Sequence, residues 1–478
     1  VDAQHGIARR MVVGLPKDGL SPAWERDFSS FPPAGVIVFR RDFQDLEALR
    51  ALTKRLRALV RPRRLFIGID EEGGFVSQLG GHLVVPPSAL LLARGAMPGD
   101  IEWASRVTAE RLRALGVDWV YAPVSDIHSE PMNPVIGPRS YGTTPEAVTG
   151  ALAEVLRGFR AAGIGSCLKH FPGHGDTRVD SHLALPRCDA SLETLERREL
   201  VPFRAHVKAA DTVMTAHLVV PALDPTERPA TFSPTIVQEV LRGSVGFGGV
   251  VVTDALEMKG AAEGRGPAEV GRLALDAGCD LLLYAFHSEE VRRARYELAR
   301  ALTDGAFDRT RFDEARPRLA EFDRTIREPS EDELSRPLES LTPAHWMERL
   351  EAIVERGIVT HGRLPDDTRA IASVHEPAHA YGPTFRELLE SAGMATSSDP
   401  TALHVEVVAS RVPLPAAERE RLNRLCRERP TAVVALQTDE FLEALDRAAL
   451  RVSACDPTPL TRRVVAGQIA ARLQGAVA

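Results

Sequence analysis

Eight short apolar runs, each bounded by turn residues, alternate with helix-like stretches through the first ~290 residues, and this alternation leaves few folds open to the chain. The runs cover 11–15, 35–39, 65–70, 117–123, 166–171, 212–217, 250–254 and 280–286. Most are continuously apolar, as strands covered on both faces are. Helical patterning occupies 45–60, 98–115, 145–161, 192–208, 267–277 and 288–302 between them. Parallel strands need crossover connections of a dozen or more residues, and eight such units close around a core of side chains. The predicted fold is α/β: a (β/α)8 TIM-type barrel, with an open doubly wound sheet as the alternative. The barrel is favoured because Asp70, Asp126, Lys169, His170, His217 and Asp254 fall at or just past the carboxyl ends of predicted strands, where barrel active sites form.

Beyond about Asp304 the pattern changes to charged, proline-containing helix and linker, including Pro329 and Pro337. Apolar runs return at 369–374, 403–409 and 431–436, with helical stretches at 384–392, 416–427 and 462–473. These predict a smaller αβα sandwich domain. The expected division is a catalytic barrel over 1–335 and a C-terminal α/β domain, with its linker helix, over 336–478. The second domain has no glycine loop of the kind that cradles phosphate, and no catalytic residue is read in it.

Composition excludes several classes of function. The net charge of −7 is spread along the chain without a basic block, so nucleic acid is not an expected partner. No run of about 18 apolar residues and no signal-peptide pattern occurs, so no membrane association is expected and a cytoplasmic location is. Five cysteines, an odd number without C-x-x-C spacing, predict buried thiols rather than a disulfide framework or zinc ribbon.

The densest polar segment runs from Lys169 to Pro186 and holds Lys169, His170, His174, Asp176, Asp180 and His182. Three readings compete for it. His170, His174, His182 and Asp176 are suitable metal ligands. The histidines could instead bond turns while an aspartate caps the next helix. In the third reading His182, two positions after Asp180, is a general acid/base oriented by that carboxylate. Asp254, at the end of Val250-Val251-Val252-Thr253, is either a helix cap or a nucleophile toward an anomeric carbon. Asp70 either opens a tight glycine turn or faces the mouth.

At these segments the sequence resembles glycoside hydrolase family 3, in its β-N-acetylglucosaminidase branch. The matching stretches are Gly35 to Phe39, Asp70-Glu71-Glu72-Gly73-Gly74, Ala122-Pro123-Val124, Asn133 to Gly137 with Arg139-Ser140, Lys169 to Pro186, Met214 to His217, and Pro229-Ala230 through Gly246-Phe247 to Asp254 and Met258. They occur in the family's order, and Asp180-Ser181-His182 separates this branch from the family's β-glucosidases. The resemblance implies Asp254 as the nucleophile of a retaining mechanism with a covalent glycosyl-enzyme, and His182 as general acid/base with Asp180 orienting it. It implies that Asp70, Arg139, Lys169 and His170 hold the hydroxyls of the terminal sugar. The family commonly has Gln and Arg where this chain has Glu71 and Phe75, a difference that bears on substrate preference.

The resemblance thus implies an exo-acting enzyme that removes terminal β-linked N-acetylglucosamine from an amino-sugar oligosaccharide, from peptidoglycan-derived GlcNAc-anhydroMurNAc or from chitooligosaccharides. Phosphorolysis on the same scaffold is an alternative. A metal-dependent hydrolase and a non-catalytic sugar-binding protein are alternatives of other classes. No cofactor and no metal is expected, and the chain is expected to be a monomer or homodimer.

Overall fold

The computed structural model describes residues 2–181, 183–286, 289–364, 371–377, 382–397 and 402–473. His182 lies outside the described residues. The chain forms two compact units: Val1–Glu72 with Glu102–Glu130 and Thr143–Leu341, and Gly73–Ile101 with Pro131–Gly142 and Thr342–Ala478.

All eight apolar runs supply strands of the first unit: β1 Met11–Val13, β2 Gly35–Val38, β3 Phe66–Ile69, β4 Trp119–Val120, β5 Cys167–Phe171, β6 Thr212–Thr215, β7 Val250–Thr253 and β8 Leu282–Tyr284. They pair in parallel in two sheets, ordered β8-β1-β2-β3-β4 and β5-β6-β7. Isolated bridges join the sheets at both edges. Trp119 with Gly165 and Val124 with Lys169 connect β4 to β5, and Val252 with Leu281 connects β7 to β8. The α/β class read from the periodicity is the class of the fold. The buried core mixes residues of both sheets, such as Val12, Ile37, Trp119, Met214 and Val252, with Phe322 from helix Arg309–Thr325.

Local chemistry sets the helix ends. Asp45 starts Leu46–Val60 by accepting from Ala48 N, and Thr144 starts Pro145–Ala162 by accepting from Ala147 N with Pro145 in the first turn. Gly163 ends the latter helix at φ 72°, where a side chain is disfavoured. The single helix expected over 192–208 is instead two, Leu192–Arg197 and Leu200–His206. Pro202 explains the break: it has no N–H to donate and its ring would collide with the carbonyl of Arg198, four residues back. Arg198 leaves the helix and pairs with Asp176 and Glu199.

The second unit contains β9 Val359–Gly362, β10 Ile371–His375, β11 Ala395–Thr396, β12 Leu403–Val408, β13 Thr431–Ala435 and β14 Leu450–Ser453, in the order β9-β14-β13-β12-β10-β11. All pairs are parallel except β9 with β14. Helices Phe385–Ser391, Ala416–Glu428 and Pro459–Leu473 correspond to the expected helical stretches. The segment Gly73–Ile101, far from these in sequence, is tied to them. Ser88 N donates to Asp456 Oδ1 at 3.0 Å, and Gly95 lies so close to helix Ala344–Gly357 that an added Cβ would sit 1.9 Å from Ile353 O. All five cysteines are buried and unpaired. Among the described residues, no helix is long and apolar enough to cross a membrane.

Candidate active site

The carboxyl ends of β3, β5, β6 and β7 carry a connected set of charged and polar side chains. Asp70 follows β3, and Lys169 and His170 lie within β5. The Lys169 ammonium is buried between two carboxylates, 2.7 Å from Asp70 Oδ1 and 2.6 Å from Glu72 Oε1. A buried ammonium held this way is an oriented donor rather than a free charge, and an Asp70 carboxylate only part-buried keeps acceptor sites open toward a ligand. The peptide between Lys169 and His170 is cis.

Asp126 organises the start of the long loop. Its Oδ2 lies 2.7 Å from His170 Nδ1, its Oδ1 accepts from His174 N at 2.7 Å, and both oxygens are 3.2 Å from His170 N. Burial alone would raise this carboxyl, but the facing His170 and His174 ring charges and the N–H of His174 hold it below the usual carboxylate range. His170 is therefore oriented from behind by a fully buried carboxylate. His174 is buried as well. Its Nδ1 is 2.9 Å from Thr177 Oγ1, whose hydroxyl donates to His174 O, so Nδ1 carries the proton and Nε2 is the acceptor facing Ser181 Oγ at 3.2 Å. Burial pushes the His174 ring down to about 4, leaving it neutral at physiological pH.

Asp254 continues directly from β7. Its backbone N–H donates to Thr215 O at 3.1 Å on β6, and its Oδ1 accepts from Ala255 N at 2.7 Å. His217 Nε2 donates to Ala255 O at 3.0 Å, which fixes the peptide following the carboxylate. Burial opposes ionisation of Asp254, yet His170, His217, the Ala255 N–H and Lys169 together hold it below the usual range. Burial pushes His217 itself down, so its own charge does not add to this support at neutral pH. The result is an ionised, part-exposed carboxylate on a rigid strand end.

The loop after β5 returns to this carboxylate. Leu183 N and Ala184 N both donate to Asp180 O, at 2.9 and 3.1 Å. Ser181 O accepts from Gly260 N at 3.1 Å, so the residue before His182 is tied to the segment that follows Asp254. Of the ligands weighed for a metal, Asp176 is paired with Arg198 at 2.5 Å, and the rings of His170 and His174 have the partners given above. Among the described residues, no three His, Cys, Asp or Glu side chains are arranged to hold a metal ion.

Arg139 belongs to the second unit, in the 3-10 turn Gly137–Arg139, where its Nη1 donates to Val135 O at 3.1 Å. Phe75, which replaces the family's arginine, is in that unit too, and the Arg411 guanidinium lies 5.3 Å from its ring centroid. Glu71 is buried and stabilises the charge of Arg111. One partner, Glu72, was given no role in the reading of the sequence, and Asp126 was given a position without a role. Glu72 could have been found only as the second carboxylate of an acidic pair. Asp126 was marked by its strand-end position alone.

Comparison with known proteins gives a consistent result. Residues 29–322 match the family model described as the glycosyl hydrolase family 3 N terminal domain. A beta-hexosaminidase of Alkalilimnicola ehrlichii is 40% identical over 294 residues, covering 59% of this chain and 82% of that protein. A beta-hexosaminidase of Chromobacterium violaceum is 42% identical over 265 residues, covering 54% and 73%. A solved glycoside hydrolase family 3 beta-N-acetylglucosaminidase from Paenibacillus sp. str. FPU-7 superposes with a TM-score of 0.86 at 28% identity, covering 99% of this chain and 97% of that one.

Proposed function

The chain belongs to glycoside hydrolase family 3 and is a glycosidase, and from that premise we propose that it is a retaining exo-β-N-acetylglucosaminidase with Asp254 as its nucleophile. The observation that carries this reading is the Asp254 carboxylate, held ionised at a strand end beside Lys169 and the Asp126-supported His170. An anionic carboxylate is what attack on an anomeric carbon needs. The relatives named beta-hexosaminidase support N-acetylhexosamine as the sugar.

In the first step Asp254 displaces the aglycone and forms a glycosyl-enzyme with inversion, while His182 protonates the departing oxygen. In the second step His182 removes a proton from water, which attacks with a second inversion, so configuration is retained. Asp180 orients His182. The Gly260 N–H on Ser181 O supports this reading, because it holds the residue before His182 against the segment after Asp254. Asp70, Lys169 and His170, with Arg139, bind the hydroxyls of the terminal sugar. Fixing the sugar this way places its anomeric carbon for attack. GlcNAc-anhydroMurNAc fragments, before chitooligosaccharides, are the substrates proposed.

The architecture that goes with this chemistry is a closed (β/α)8 barrel followed by an αβα sandwich. The bridges between β4 and β5 and between β7 and β8 support closure, since they join the two sheets at both edges. The catalytic portion is 1–335 and the C-terminal portion 336–478, with 73–101 and 131–142 as barrel loops that cluster with the latter.

Turnover of 4-nitrophenyl β-N-acetylglucosaminide beside the matching β-glucoside tests the reading. Wild type should prefer the N-acetyl sugar, and Asp254→Asn should lose at least 1,000-fold in kcat, about 4 kcal/mol. Equal rates on both sugars would reject the specificity, and an active Asp254→Asn would reject the nucleophile. Phosphate in place of water as acceptor would appear as a sugar phosphate product, and its absence at saturating phosphate would leave hydrolysis.

A further inference from the structure

A cavity of about 800 Å³ lies at the opposite end of the strands from Asp254. Its wall includes Arg9 and Arg10, which lead into β1, Ala34 before β2, Phe66 at the start of β3 and Leu281 before β8. Among the described residues, five arginines and three aspartates line it, an excess of two positive charges.

The two innermost guanidiniums are the unusual feature. Arg9 Nη1 donates to Pro33 O at 3.1 Å and Arg64 O at 2.9 Å. Arg10, only 3% exposed, donates to Asp280 O at 3.4 Å and to Phe312 O, and its charge lies 4.4 Å from the Phe312 ring centroid. Every one of these acceptors is neutral. The nearby carboxylates are engaged elsewhere: Asp280 with Arg242 and Arg318 at 2.7 Å each, Asp313 with Arg316 at 2.9 Å, and Asp323 with Arg64 at 3.7 Å. Burial pushes Arg10 down to about 10, with Asp280 and Asp313 opposing the shift and Arg318 and Arg316 adding to it. Buried charge without an opposite partner is costly, by several kcal/mol in typical cases.

We propose that this cavity binds a phosphorylated small molecule, whose phosphate neutralises Arg9 and Arg10 and whose remaining body packs on Phe312 and Leu319. A phosphate monoester or diphosphate suits the site better than a carboxylate for two reasons. It carries about two negative charges at neutral pH, matching the excess, and its oxygens accept paired N–H bonds from guanidinium. Helices Ala3–Ala8 and Arg309–Thr325 both contribute to the wall, so the bound anion also ties them to the strands.

Calorimetric titration of the full chain with ADP and, separately, with inorganic phosphate tests the proposal, with sodium chloride at equal ionic strength as control. Saturable binding tighter than about 1 mM is expected for at least one of them. ADP binding well above phosphate identifies a nucleotide-like body, and equal binding identifies the phosphate alone. Arg9→Gln should weaken it at least tenfold. Arg316→Gln, at a side chain 61% exposed, should weaken it several-fold and leave glycoside turnover unchanged. No saturable binding of either probe overturns the proposal. So does equal affinity in both variants, or loss of binding when the active site is filled with N-acetylglucosamine.

Discussion

Asp126 receives the N–H groups of His170 and His174 and the His170 ring on one carboxylate, so a single residue sets both the ring proposed to bind the sugar and the start of the loop. An asparagine there keeps one acceptor and turns a donor toward these donors. Asp126→Asn should therefore lower kcat/KM about 100-fold, near 2.7 kcal/mol, a typical loss for hydrogen bonds to a charged group. Steady-state kinetics checks this, and a fall in Tm without a change in kcat/KM would show a structural role only. His174 makes a different prediction. Its folded value of about 4 lies below the ordinary 6.5, so between those pH values the unfolded chain holds a proton that the folded chain does not. Stability therefore rises with pH across that window and is unaffected by this group above it, by on the order of 3 kcal/mol in all. Urea unfolding at pH 4.5 and 7 should show a smaller difference in His174→Gln than in wild type. At this scale the sequence located residues better than partners. Asp126 and His217 were visible as polar groups at strand ends, but Glu72 was not, because its pairing with Lys169 exists only once β3 and β5 are brought together.

The loop of 169–186 owes its path to small residues as much as to its charged ones. A Cβ on Gly175 would stand 1.6 Å from Ile127 O, a backbone atom that cannot turn aside. Gly175→Ala should displace the loop carrying Asp180, lowering kcat/KM at least tenfold, or roughly 1.4 kcal/mol. Gly248→Ala, with open space around its Cβ and no positive φ, should change neither activity nor Tm. Activity retained in Gly175→Ala would mean the loop adapts. Elements were the most legible level of this fold. Continuous apolar runs marked the eight strands, and capping residues such as Asp45 and Thr144 stood at the starts of their helices. What periodicity missed were short or interrupted pieces. β14, Leu450–Ser453, and β9, Val359–Gly362, are four residues each, and Arg309–Thr325 continues through Pro317.

Over the whole molecule, sequence order and spatial grouping part company. The segments 73–101 and 131–142 belong with 342–478 rather than with the strands that precede them. Linear patterning cannot show this, since each segment looks like an ordinary connecting loop until its partners are in place. Those partners are specific: Ser88 bonds Asp456 and Cys455, Arg349 and Arg356 pair with Asp100, and Gly95 rests on the backbone of Ile353. Removing 342–478 would strip every one of these contacts from 73–101, whose helix Ala89–Gly95 packs against the turn Gly137–Arg139 that carries Arg139, a proposed sugar ligand. The truncated chain is therefore expected to lose over 90% of kcat/KM, more than tenfold or about 1.4 kcal/mol. Circular dichroism of the truncated form should meanwhile retain the helical signal of the first unit. Hydrolysis at the wild-type rate by the truncated chain would show that 131–142 holds Arg139 in place unaided, and would leave the C-terminal portion without a part in catalysis.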